Sequence, residues 1–178
     1  DLANKNTTFL RDGDEVFVEL YQNKVRQVYP LRSKVYRNHI MAMYIHKYQT
    51  TVDKKTIDGV LDNLEGLYSL KKEEVKVYTR VAYNHNEIEI DLGDPKWNSI
   101  KINKSGYTVS PHKEYLFRPK NTLPLTVPAS SAKKLKLFKE LFRLSEGDYK
   151  LIIGWLLGCF MPQEPYPILI IQGQQGSG

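Results

Sequence analysis

One cysteine in 178 residues leaves no internal disulfide to form, and no apolar run approaches the ~18 residues that a membrane-spanning helix needs. No membrane partner is expected. Cys159 lies in an apolar stretch where a thiol is expected to be buried, and a single unpaired cysteine suits a reducing, cytoplasmic setting. The four histidines, His39, His46, His85 and His112, form neither an H-x-E nor an HExxH arrangement, and one cysteine adds no zinc set to them. They are expected to be solvated or to cap helices, with no metal site. No internal repeat and no low-complexity tract interrupts the chain. No signal peptide opens it, and Asp1 in place of Met leaves room for a preceding segment.

What is present suits a packed core: 41% hydrophobic residues, 11% of all residues aromatic, and twelve tyrosines. The formal charge of +6 is unevenly spread. Between Lys24 and Lys55 stand Lys24, Arg26, Arg32, Lys34, Arg37, Lys47, Lys54 and Lys55 against one acid, Asp53, a surplus of seven. Such a local excess is the electrostatic footprint of a phosphate-backbone binder, although a solvated helix face gives the same pattern. Tyr21, Tyr29, Tyr36, Tyr44 and Tyr48 interleave with it, a mixture able to stack bases while cations hold phosphates. Tyr36 and Tyr44 fall on an inward helical stripe and are expected in the core. Contact through Lys24, Arg26, Arg32, Lys34 and Arg37 would engage single-stranded DNA by its backbone, without reading sequence.

The fold class expected is α+β. Val16 to Tyr21 and Val25 to Tyr29 flank Gln22-Asn23-Lys24 as a hairpin, after the turn residues Asp12-Gly13-Asp14. Ser33 caps a helix to about Tyr48; Asp53 caps a second, with Gly66 near its stop. From Val75 to Val109 the period becomes two, predicting an antiparallel β-meander in which Val75 to Ala82 is one strand. Glu87, Glu89 and Asp91 alternate with Ile88, Ile90 and Leu92, so these carboxylates are expected on a half-solvated face and not around a metal. Residues 1–120 form this N-terminal module, and the proline-bearing residues 121–130 read as a linker. In residues 131–178, Ser131 to Leu144 suits an amphipathic helix with Leu135, Phe138, Leu141 and Phe142 inward. Tyr149 to Met161 suits a helix apolar almost all round, which must be buried.

The segment Ile168-Leu-Ile-Ile171 reads as a strand of a parallel sheet, running directly into Gly173, Gln174, Gln175, Gly176, Ser177 and Gly178. These six fit the opening of the phosphate-loop pattern GxxxxGK[ST], whose lysine and hydroxyl residue would occupy the next two positions. The expectation is therefore the first strand of a P-loop α/β ATPase domain, cut inside its loop: the intact parent would use ATP and Mg²⁺, whereas this fragment is expected to bind no cofactor and to hydrolyse nothing.

The order of these pieces resembles ATP-binding proteins of phages and integrated mobile elements, related to primase-helicases with a superfamily 3 or AAA+ motor. The likeness rests on Pro30-Leu-Arg-Ser-Lys-Val-Tyr-Arg37, Asp62-Asn-Leu-Glu-Gly66, Val77-Tyr-Thr-Arg-Val-Ala82, Ile90-Asp-Leu-Gly-Asp-Pro-Lys-Trp97, Phe117-Arg-Pro-Lys120 and the tail from Tyr166. The resemblance implies DNA replication, ATP-driven movement on DNA and a homo-oligomeric parent. A protein-interaction or oligomerisation module on a switch-type ATPase is the alternative. A small-molecule kinase fits less well, because 172 residues precede the loop.

Overall fold

The structure, a computed structural model, describes residues 7–84, 86–129, 133–161 and 165–173. Its elements are β1 (Thr7–Asp12), β2 (Glu15–Gln22), β3 (Val25–Pro30), α1 (Lys34–Tyr48), α2 (Lys54–Ser69), β4 (Val77–Thr79), β5 (Val81–Asn84), β6 (Glu87–Asp91), β7 (Asn98–Asn103), β8 (Gly106–Pro111), β9 (Tyr115–Phe117), α3 (Lys133–Leu141) and α4 (Glu146–Gly158). The chain is mixed α+β, with four helices and two sheets among the described residues.

Strand β2 is the spine of the first sheet, ordered β1-β2-β3-β9-β4. Its side chains alternate between two buried faces. Val16, Val18 and Leu20 meet the helix pair through Tyr36, Ile40, Ile57, Leu61 and Leu64, while Phe17 faces Leu10, Val28 and Val77 on the other side. The helices begin where local chemistry starts them: the Ser33 hydroxyl accepts from Tyr36 N, and the Asp53 carboxylate accepts from Thr56 N. As expected, Gly66 lies near the end of α2, which runs to Ser69.

The second sheet is the expected meander, β5-β6-β7-β8, antiparallel throughout. Val75 to Ala82 is not one strand. At Arg80 the backbone turns left-handed (φ 62°), so β4 stays in the first sheet and β5 starts the second. Arg80 N donates to Phe117 O and Arg80 O accepts from Asp91 N, tying the two sheets at the switch. Residues 119–129 contain no regular element but are docked: Leu125 N donates to Leu92 O (2.7 Å) and the Tyr107 hydroxyl to Pro128 O (2.7 Å).

The C-terminal expectations fare differently. A helix does form over most of 149–161, α4, opened by Ser145, whose Oγ accepts from Asp148 N. Yet α4 buries no side chain, with Leu151 73% exposed, and Cys159 is exposed too. In α3, Leu135 and Leu141 are likewise exposed, as is Phe142 just beyond it. The pattern of a buried helix demands a covering layer, and the described residues supply none. Residues 165–173 pair with no strand among the described residues, and Ile168, Ile170 and Ile171 are exposed. A two-faced parallel strand exists only between neighbours. Gly173 stands in this irregular stretch; Gln174, Gln175, Gly176, Ser177 and Gly178 lie outside the described residues.

Candidate nucleic-acid interface

The expected solvated acidic face is overturned: Glu89 and Asp91 are buried, at 2% and 0% exposure. Alternation does put them on one face, but residues 112–118 run across that face and seal it. Two carboxylates in so dry a place require partners. Asp91 takes a forked pair from Arg118 (Nε to Oδ2 3.0 Å, Nη2 to Oδ1 2.6 Å) and accepts from Gly93 N; His112 Nε2 stands 3.1 Å from Oδ1. Arg80 Nε approaches Oδ2 at 3.4 Å without aiming its proton there. Glu89 accepts from the Ser99 hydroxyl and from the backbone N–H groups of Lys113 and Glu114. Burial works against ionising Asp91, but the hydrogen bonds from His112, Arg118 and Gly93 outweigh it and hold the carboxyl well below its ordinary value.

This hub corrects the reading of the histidines as well. The His112 side chain is 3% exposed and belongs to the network. His39 is half-buried, and its Nε2 has no hydrogen-bond partner among the described residues. Burial lowers its pKa. His46 is exposed, as expected, and His85 lies outside the described residues.

Both perturbed groups bind fewer protons folded than unfolded, so both lose their contribution as the medium is acidified. His39 acts as pH falls below its unfolded value near 6.5, and Asp91 as pH falls below about 4. Melting temperature is therefore expected to be flat from pH 8 to 7, to decline modestly toward pH 5 and to fall steeply below pH 4. Thermal melts across that range check it; a His39→Gln variant should lose the first decline alone.

Over the hub opens a pocket of about 290 Å³, lined by Tyr21, Lys24, Val25, Arg26, Lys96, Trp97, Pro111 and His112. The two-residue turn between β2 and β3 presents Lys24, with Asn23 and Lys24 both left-handed (φ 50° and 64°), as hairpin turns of this twist require. Trp97 is also left-handed (φ 54°), an uncommon state for a bulky residue. It is held by Trp97 N donating to Asp94 O, by the Arg118 guanidinium 4.1 Å over its ring and by edge contacts with Tyr29 and His112.

The five basic residues expected to touch DNA do not form one surface. Arg32 is clasped by Asp62 and Glu65, which raise its already high pKa, and Arg37 by Asp58. Arg37 braces α1 against α2, and Arg32 braces the turn ahead of α1 against α2. Arg26 spends Nη2 on the carbonyls of His112, Lys113 and Glu114 and lies 3.7 Å from Glu19, so it fixes the pocket wall. Lys34 is exposed at the start of α1, and Lys24 is exposed at the pocket mouth. Lys96, which sequence reasoning did not single out, joins Lys24 there, and neither has a carboxylate partner among the described residues. Its signal was the turn Gly93-Asp-Pro-Lys-Trp97, which projects a lysine beside an aromatic ring. Two stretches behind the family resemblance, 90–97 and 117–120, meet at this place through Arg118, Asp91 and Trp97. Comparison with protein families, with curated proteins and with solved structures finds no match.

Proposed function

We propose that the chain is an N-terminal part of a mobile-element replication ATPase, a DNA helicase or primase-helicase, whose α+β module holds single-stranded DNA by its backbone. The observation that carries this reading is the pocket at which Lys24 and Lys96 stand beside Tyr21 and Trp97, neither lysine paired with a carboxylate among the described residues. Cations met by carboxylates, such as Arg32 and Arg37, gain little from a phosphate; unmet ammonium groups beside an exposed ring gain most. The family resemblance supplies the replication context, and the basic surplus between Lys24 and Lys55 supplies attraction at longer range.

ATP and Mg²⁺ belong to this proposal only through the parent. The residues present do not make a complete site for them: residues 173–178 include neither the phosphate-reaching lysine nor the hydroxyl residue after it. No catalytic step is assigned to the chain.

A labelled oligothymidylate titrated with the protein tests the reading by fluorescence anisotropy. With two to four phosphates neutralised, log affinity should fall against log salt with a slope between about −1.4 and −2.8, and Lys24→Gln with Lys96→Gln should flatten that slope by about 1.4. Absence of binding, or binding indifferent to salt, would sink it. The second reading, an oligomerisation module on a switch ATPase, is favoured by the exposed Leu137, Leu141, Leu151 and Leu157 of α3 and α4. Concentration-dependent self-association without DNA affinity would select it.

A further inference from the structure

We propose that the pocket over His112 and Trp97 is a subsite for one nucleotide unit, taking an unstacked base against Tyr21 and its phosphate between Lys24 and Lys96. The inference rests on the DNA-contacting reading and adds what that reading leaves open: the ligand is a base together with its phosphate, not a phosphate backbone alone.

Size is the first argument. At about 290 Å³ the pocket lies at the small end of ligand sites, which suits one nucleotide and not a stacked pair. Chemistry is the second. Tyr21 is 59% exposed, yet its hydroxyl is tethered to Glu19 Oε1 (3.3 Å), so an accessible ring is held in a defined orientation at the pocket. Burial of Glu19 is made tolerable by Arg26, which keeps that carboxylate from opposing an incoming anion. Lys24 and Lys96 arrive from different elements, the β2–β3 turn and the loop before β7, and both line the cavity. Trp97 is only 7% exposed, with Arg118 over its ring, so it serves as wall and Tyr21 as platform.

Rigidity is the third. The pocket wall at Pro111 and His112 runs on into Lys113 and Glu114: the carbonyls of residues 112–114 are taken by Arg26, and the N–H groups of Lys113 and Glu114 by Glu89. A preorganised wall lowers the ordering cost of binding. A concave site with one platform accepts a base that has left its stack, and duplex DNA offers none without unpairing.

Trp97 reports on the pocket directly, since Trp155 is the one other tryptophan and Trp155→Phe silences it. In that background, thymidine monophosphate, a ten-residue oligothymidylate, a blunt duplex and inorganic phosphate are each titrated against Trp97 fluorescence. The expected result is a saturable change with the mononucleotide and the oligomer, the oligomer binding more tightly, and little response to duplex or to phosphate. Tyr21→Ala, at an exposed position, should weaken mononucleotide binding between about fivefold and a hundredfold, the loss of one base–aromatic stack. Equal response to phosphate and nucleotide, or unchanged affinity in Tyr21→Ala, overturns the inference. Salt-dependent oligomer binding that leaves Trp97 silent overturns it too, while the DNA reading stands. Mononucleotide binding with no gain for the oligomer keeps the subsite, assigns it to free nucleotide and removes the DNA reading.

Discussion

Asp91→Asn is expected to cost the folded chain about 3–5 kcal/mol, the range seen when one partner of a buried ion pair is removed and the other is left behind. The substitution keeps the shape and removes the charge. Arg118, 14% exposed at its side chain, and Arg80 then face a neutral amide, and one Asn oxygen cannot reproduce the forked pair to two carboxylate oxygens. Because residues 112–118 cross the meander over this carboxylate, the loss also loosens the wall of the pocket. For a folded unit of this size the melting temperature should drop on the order of 10 °C. Asp62→Asn is the informative comparison. Its ion pair with Arg32 is of similar length, 2.7 Å against 2.6 Å, but its partners are half-exposed, so screening holds its contribution below about 1 kcal/mol. Near-equal losses in the two variants would show that the Asp91 hub is wet and would remove the argument for a rigid wall.

The contrast between these two aspartates also explains what the sequence disclosed. Ser33 and Asp53 were legible as caps because a cap is decided within three residues, by a side chain reaching the next turn. The β2–β3 hairpin and the meander were legible for the same reason: short turns with period-two flanks are local events. Strand β1 escaped notice because Thr7-Thr-Phe-Leu-Arg-Asp12 shows little alternation and acquires its state from pairing with β2. Strand β9 is three residues long and lies parallel between β3 and β4, partners far away in the chain. Without β9 nothing announces that residues 112–118 cover Glu89 and Asp91, so alternation revealed their shared face but not what lies over it. Of the five basic residues singled out, Lys24 and Arg26 do line the pocket, whereas Arg32 and Arg37 are claimed by acids of α2 that a count over residues 24–55 leaves out. Local excess charge measures composition; the field at a surface depends on which cations the fold has already paired.

Gly93→Ala is the second large effect, expected at about 2–5 kcal/mol. Gly93 has φ +70°, where an alanine costs about 1–2 kcal/mol on backbone grounds alone. Its new Cβ would also stand 2.9 Å from Leu123 O, 3.1 Å from Thr122 Cγ2 and 3.2 Å from Pro124 Cα. Two of these atoms are backbone, so the strap of residues 119–128 must lift as a piece, and forced repacking of that kind adds about 1–3 kcal/mol. The strap is the stretch that composition presents as a free linker. It is anchored by Leu125 N to Leu92 O, next to the Gly93 N–H that donates to Asp91, and by the Tyr107 hydroxyl of β8 to Pro128 O. Gly13→Ala separates the two costs: Gly13 is also left-handed, at φ +59°, but an added Cβ there meets nothing within 4 Å. It should lose only the backbone share. Thermal melts of the two variants give the difference, and limited proteolysis locates it, since a lifted strap becomes cleavable between Lys120 and Pro128 in Gly93→Ala while Gly13→Ala keeps the parental resistance. If the two variants lose equal stability and the strap stays resistant in both, residues 119–128 only lie near the meander, and the loop that carries Lys96 and Trp97 owes its position to the Asp91 hub alone.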